Sequence, residues 1–224
     1  MKRSPSVALL LTVFFAFIGL LIALRIIYSG KLNYLFLVWN LFLAWLPFMI
    51  STGFKVLHRK TVLWKKITLL SIWLIFFPNA LYIITDLIHL EQETNIPKWF
   101  DAILIFASSV VGLIMAFISL FRAESFLLKH FENVTVNKII PAILFLGSFG
   151  VYLGRFLRWN SWDIVNDPLG LAAEIGERFI FPLQHTRTWG VTFILTTFFY
   201  LLYLLIKKMP DMIGVRTASR RQTP

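Results

Sequence analysis

Asn79, Tyr82, Asp86 and His89 follow one another at spacings of three, four and three. On an α-helix such spacing lines all four along one stripe. A carboxylate one turn from an imidazole is a general-base arrangement, or half of a metal site. It is also how a helix ends at a headgroup layer. A second group closes the run GSFGVYLGRFLRWNSWD, where Arg155 and Arg158 stand one turn apart and Asn160, Ser161 and Asp163 follow. The arginine fork matches carboxylates and phosphates, although an arginine near the end of a membrane span also snorkels to the interface. In a third group, KWFD, Asp101 opens a helical stretch and complements its positive dipole end. These residues are read as a site in which Asp86 and His89 move protons. Asn40, Asn79, Tyr82, Asp101, Arg155, Arg158, Asn160 and Asp163 are read as its binding groups. No metal ligand set and no cofactor is expected.

Six apolar stretches must position these groups. The 224 residues are 58% hydrophobic and 15% charged, whereas a soluble domain carries about a quarter charged residues. A membrane helix needs about 20 apolar residues. Candidate spans are Val7–Ile27, Tyr34–Ser51, Ile67–Asp86, Phe100–Phe121, Ile139–Trp159 and Thr188–Ile206. Short alternating segments, the mark of a membrane barrel, are missing from the sequence. The expected fold is therefore all-α: one integral membrane bundle of six transmembrane helices over residues 1–209. The basic tail, residues 210–224, is expected to be disordered. The first apolar run is too long for a signal peptide and lacks a small-residue cleavage site, so it reads as an uncleaved span.

Charge sets the orientation. With the N-terminus inside, 15 of the 22 lysines and arginines lie on the inner face, and eight of the 11 acids lie outside. The positive-inside bias places both termini in the cytoplasm. Trp99, Trp159, Trp162 and Trp189 then mark the outer interface and Trp64 the inner one. The three polar groups converge on the outer face. The pI of about 10.1 reflects this topology and anionic headgroups. Membrane lipids are the expected partners, and a protein partner or a second copy is compatible with the size. Nucleic acid is not expected, because no basic soluble domain exists to hold it.

Pro78 removes a backbone donor within the third span, and the carbonyl it frees needs a neighbour or water. Asn40 and Asn79 lie at similar depth and are expected to hydrogen-bond across helices. Gly147, Gly150 and Gly154 permit close helix packing. Residues 123–137 extend the fourth helix past the bilayer. Asp167-Pro168 reads as a cap and first-turn proline, opening a helix over Leu169–Phe181 that lies on the outer membrane surface. His185 and Arg187 open the sixth span as ordinary interface residues. The absence of cysteine excludes disulfides, thiol nucleophiles and cysteine-held iron–sulfur clusters. Walker, dinucleotide, GxSxG and HExxH motifs are missing too. No span centre carries a carboxylate or lysine, which argues against a coupled carrier.

The segments NLFLAWLPF, FFPNALYIITDLIHL, KWFD and GRFLRWNSWD together resemble a family of bacterial multi-pass membrane proteins known as domain of unknown function 1361. The resemblance extends over nearly the whole chain. It implies an integral protein of the bacterial cytoplasmic membrane, and its motif residues include Asn79, Asp86, His89, Asp101, Arg155, Arg158, Asn160 and Asp163. It implies no activity, substrate or cofactor. Three functions compete: an enzyme acting on a lipid or other anionic headgroup at the outer face, a non-catalytic assembly factor or subunit of a membrane complex, and a small transporter or channel.

Overall fold

Lipid gives apolar helices little reason to associate, so packing in a membrane rests on small residues and paired polar groups. Both are concentrated on α4, Lys98–Leu127. Ser108, Gly112 and Ala116 recur along it at four-residue intervals, all buried. This helix lies at the centre of the computed structural model, which describes residues 6–57, 61–91 and 96–212. Around it pack α1 (Val7–Ser29), α2 (Phe36–Ile50), and α3 (Leu63–Tyr82) with the 3-10 helix Ile83–Glu91 that continues it. α5 (Asn133–Phe156) packs on α3. Two shorter helices follow, α6 (Asp163–Asn166) and α7 (Pro168–Ile180), and α8 (Thr186–Met212) lies along α5. Among the described residues there is no strand.

Six of these helical segments are long and apolar enough to cross a membrane. Leu20, Ile27, Phe106 and Ile194 belong to the many large apolar side chains on the outside. In water they would be a liability, whereas facing lipid they are solvated. The chain is thus an all-α, multi-pass integral membrane bundle. Of the expected tail, residues 210–212 belong to α8, and 213–224 lie outside the described residues.

Several boundaries differ from the sequence expectation. The third span does not stay α-helical to Asp86. It tightens at Ile83, where Ile83, Ile84 and Thr85 form a β-branched run with low helix propensity. Side-chain hydroxyls take over the carbonyls at this junction: Thr85 Oγ1 donates to Tyr82 O (2.6 Å) and Ser109 Oγ to Ile83 O (3.1 Å). The fifth helix starts earlier than expected and ends at Phe156. Arg158 adopts a left-handed φ of 62°, and the Trp159 amide turns back to Leu153 O at 3.1 Å. That turn is usually given to glycine. α4 runs past the expected span but only to Leu127: of residues 123–137, expected to extend it, 123–127 do so, a turn follows, and Asn133 already opens α5.

Close approach fixes the α3–α5 crossing. A Cβ on Gly150 would sit 2.6 Å from Pro78 Cγ, and one on Gly147 2.9 Å from Leu81 Cδ1. On α4, a Cβ at Gly112 would overlap Ile83 Cγ2. Gly154 is looser, 3.4 Å from Tyr82. The start of the 3-10 helix is therefore pressed into the small face of α4, and this sets the height and rotation of the residues after it.

Candidate functional site

In a 3-10 helix, side chains three apart eclipse, so Ile83, Asp86 and His89 share one face. Asp86 is wholly buried. Both its oxygens are engaged: Asn40 Nδ2 donates to Oδ2 at 2.8 Å, and Arg155 Nη2 pairs with Oδ1. Arg155 is spent just as fully. Its Nε donates to Thr85 Oγ1 at 2.8 Å, its Nη1 lies 3.2 Å from His89 Nε2, and its guanidinium lies 4.1 Å from the centre of the Tyr82 ring. Because guanidinium nitrogens only donate, Nε2 is the accepting nitrogen of His89 and the ring proton sits on Nδ1. The expected Asp86–His89 dyad is therefore replaced by a chain in which Arg155 stands between the two. His89 also stacks on Phe36, with ring centres 4.7 Å apart.

Asp101 does not join this network. It forms a two-pronged pair with Arg25, Nε to Oδ1 at 2.7 Å and Nη2 to Oδ2 at 3.0 Å. Both residues are buried, at 1% and 3% exposure. The guanidinium rests 3.6 Å above the Tyr34 ring. Burial, reinforced by the Asp101 charge, pushes the Tyr34 hydroxyl up to about 12. Tyr34 also reaches His89 O at 3.5 Å, which makes the two polar networks neighbours.

Asn40 and Asn79 do not bond each other as expected. Asn40 turns to Asp86, and Asn79 Nδ2 donates to Ser161 Oγ at 3.0 Å, which in turn donates to Ile75 O at 3.2 Å. Asp163 holds its own loop, accepting from Asn160 N (2.6 Å) and Asn160 Nδ2 (3.3 Å). Arg158 is exposed, turned away from Arg155 by the left-handed backbone. His185 and Arg187 stay outside the cluster: His185 Nε2 lies 3.5 Å from Glu177, and Arg187 covers the Phe156 ring at 4.5 Å.

Asn40, Asn79, Tyr82, Asn160 and Ser161 line a half-open cleft of about 250 Å³ beside the ion pair. Leu74, Ile75, Ile164, Leu171 and Ile175 supply its apolar wall. Trp39 and Trp162 meet edge to face at 6.2 Å beside it. Two wall residues come from α7, whose start is capped as expected: Asp167 Oδ1 accepts from the Gly170 amide at 2.9 Å, and Pro168 is the first helical residue. Among the described residues, no three of His, Asp and Glu converge as metal ligands.

A family model described as "Protein of unknown function (DUF1361)" matches residues 39–202. The chain belongs to this family. No curated protein and no solved structure matches it. The matched region holds the Asp86 network and the cleft, and Arg25 precedes it. This family member also uses residues that sequence reasoning did not single out. Thr85 sits off the helical stripe and became visible only once the backbone tightened. Arg25 read as the end of the first span. At the opposite end of the bundle, Glu124 accepts from Tyr203 Oη at 2.8 Å and Lys207 Nζ at 2.5 Å, fastening α4 to α8. The i,i+4 spacing of Tyr203 and Lys207 was the available signal for that group.

Proposed function

We propose that this protein is a non-catalytic membrane component that binds a lipid headgroup in the cleft, at the outer face of the bacterial cytoplasmic membrane. In this reading the Asp86–Arg155–His89 chain is a brace. The observation that carries it is the full engagement of both ions. Each oxygen of Asp86 has a partner, and the Arg155 guanidinium is held through Nε, Nη1, Nη2 and its ring face. Proton transfer by Asp86, or anion capture by Arg155, would require dismantling these contacts. The cleft beside them is amphipathic. Asn40, Asn79 and Asn160 each spend an amide nitrogen inside the protein, which leaves carbonyl oxygens as the acceptors for a ligand. A headgroup with amine or hydroxyl donors suits them, its chain lying on Leu74, Ile75 and Leu171. Arg158, exposed beside Trp159, is the cation left for the phosphate. The outward placement rests on the basic residues gathered at the other end.

Detergent-purified variants test this. Asp86→Ala and Arg155→Ala are expected to lose about 3–5 kcal/mol of stability by stranding a buried charge, read as a lowered melting temperature and loss of the monodisperse peak. Asn79→Leu is expected to melt near wild type but to lose a bound phosphatidylethanolamine in native mass spectrometry. A stable Asp86→Ala protein that has lost its cellular activity would return Asp86 to catalysis. Retention of the lipid by Asn79→Leu would remove the cleft from the proposal.

A further inference from the structure

A second hollow lies at the opposite end of the bundle, far from the Asp86 network. α2 leaves through a 3-10 turn, Ser51–Lys55, and α4 finishes beside it. Phe54, Ile118, Phe121 and Phe126 form an open apolar hollow of about 340 Å³. Three cations border it: Lys55, Arg122 and Lys129. Arg122 is fixed from the α2 side, its Nη1 donating to Phe48 O at 3.0 Å and Ser51 Oγ at 3.1 Å, with the Phe48 ring 4.4 Å from the guanidinium carbon.

Among the described residues no carboxylate lies within ion-pair distance of any of the three cations. Glu124 is near in sequence, but at two residues from Arg122 it projects from the far side of α4. There it is taken by Lys207 and Tyr203. The negative end of the α4 dipole amounts to about half a charge, well short of balancing three cations. Val56, Leu128 and Phe131 are exposed nearby, so the surface around the hollow has the mixed character of a bilayer boundary. A soluble anion would have no use for the four apolar walls. An apolar peptide would have none for three cations.

We propose that this hollow binds one anionic phospholipid, with its phosphate among Lys55, Arg122 and Lys129 and an acyl chain over Ile118 and Phe121. Such basic, apolar-floored recesses between helices are suited to anionic lipid heads. The site is independent of the cleft and stands or falls without it.

The test is the full-length protein reconstituted in phosphatidylcholine vesicles, with spin-labelled phosphatidylglycerol or phosphatidylcholine as probe. Electron paramagnetic resonance reads the motionally restricted fraction of each. Wild type is expected to prefer phosphatidylglycerol, and added salt to erode that preference. Lys55→Gln/Lys129→Gln leaves Arg122 and its structural bonds intact, and is expected to weaken phosphatidylglycerol association on the order of tenfold. Lys65→Gln/Lys208→Gln makes the same charge change elsewhere at this end and is expected to preserve the preference. Equal losses in the two double variants would show a diffuse surface potential and overturn the site. So would unchanged preference in Lys55→Gln/Lys129→Gln, or displacement of the labelled lipid by inorganic phosphate beyond that caused by sodium chloride at the same ionic strength. If that variant does not reconstitute, a salt-insensitive wild-type preference overturns the proposal equally.

Discussion

Arg25 and Asp101 show what a charge costs and contributes at the edge of a bilayer. Neither is solvated by water to any extent, and their mutual attraction offsets the desolvation only while both are present. Removing one partner of a buried pair costs about 3–5 kcal/mol, whereas replacing both by apolar residues is often near neutral. Arg25→Met and Asp101→Leu are therefore each expected to destabilise the protein by that amount. The double variant should regain most of the loss. Thermal melting of the four proteins in detergent measures the cycle, and additive losses would show that the two residues do not act as a unit. Asp101 was legible as a carboxylate at a helix start, and the dipole accounts for its position. Its partner was not, because 76 residues separate them and no local spacing connects the end of α1 to the start of α4. The same limit applied to Asp86 and Arg155. Each was legible as a polar residue in an expensive place, but only the packed helices show that the arginine inserts between Asp86 and His89.

At the level of elements, the 3-10 helix after α3 is the part that the sequence hid. Its side-chain spacing fits an α-helix well; the β-branched run at residues 83–85 weakens that preference, and α4 holds the tighter turn: Ser109 binds Ile83 O, and Gly112 admits the Ile83 side chain. A tertiary contact of this kind leaves no trace in the periodicity of either segment. The α3–α5 crossing was legible, since glycines at intervals of three and four announce close approach. The two crossings predict different tolerance. Gly112→Ala drives a methyl into Ile83, whose β-branched side chain has little rotamer freedom. Overpacking of this sort costs about 1–3 kcal/mol, and the displaced 3-10 turn should carry Asp86 away from Arg155. Gly154→Ala meets Tyr82 at 3.4 Å, an ordinary contact, and gains about 0.5–1 kcal/mol from lower chain entropy in a helix. Melting curves should therefore fall for Gly112→Ala and stay level or rise for Gly154→Ala. Equal behaviour would mean that the 3-10 turn is not held by its contact with α4.

Across the whole molecule, polar ties sit at the two ends and small apolar packing fills the middle. At one end Arg25–Asp101 joins α1 to α4, while Asp86 gathers α2 and α5 onto the continuation of α3. At the other end Arg122 holds the end of α2, and Lys207 with Tyr203 fastens α8 to α4. This distribution follows from cost: a charged group is least expensive near the ends of a span, and where it is buried there its ion partner offsets the lost water. The six spans and their order were legible because each needs about 20 apolar residues and little else. The two ends are unlike in charge, and that difference predicts the orientation. The end carrying Lys55, Lys65, Arg122, Lys129 and Lys207 should face the cytoplasm, which puts the cleft outside. A chain without cysteine makes this simple to measure. Single cysteines replace the exposed residues Lys31 and Lys98 at the cleft end, or Val134 and Met209 at the basic end. A membrane-impermeant maleimide applied to intact bacterial cells should label positions 31 and 98 and spare 134 and 209 until the membrane is opened. The reverse pattern would place the cleft in the cytoplasm, set the whole charge gradient against the positive-inside bias, and withdraw the outer leaflet as the source of its ligand.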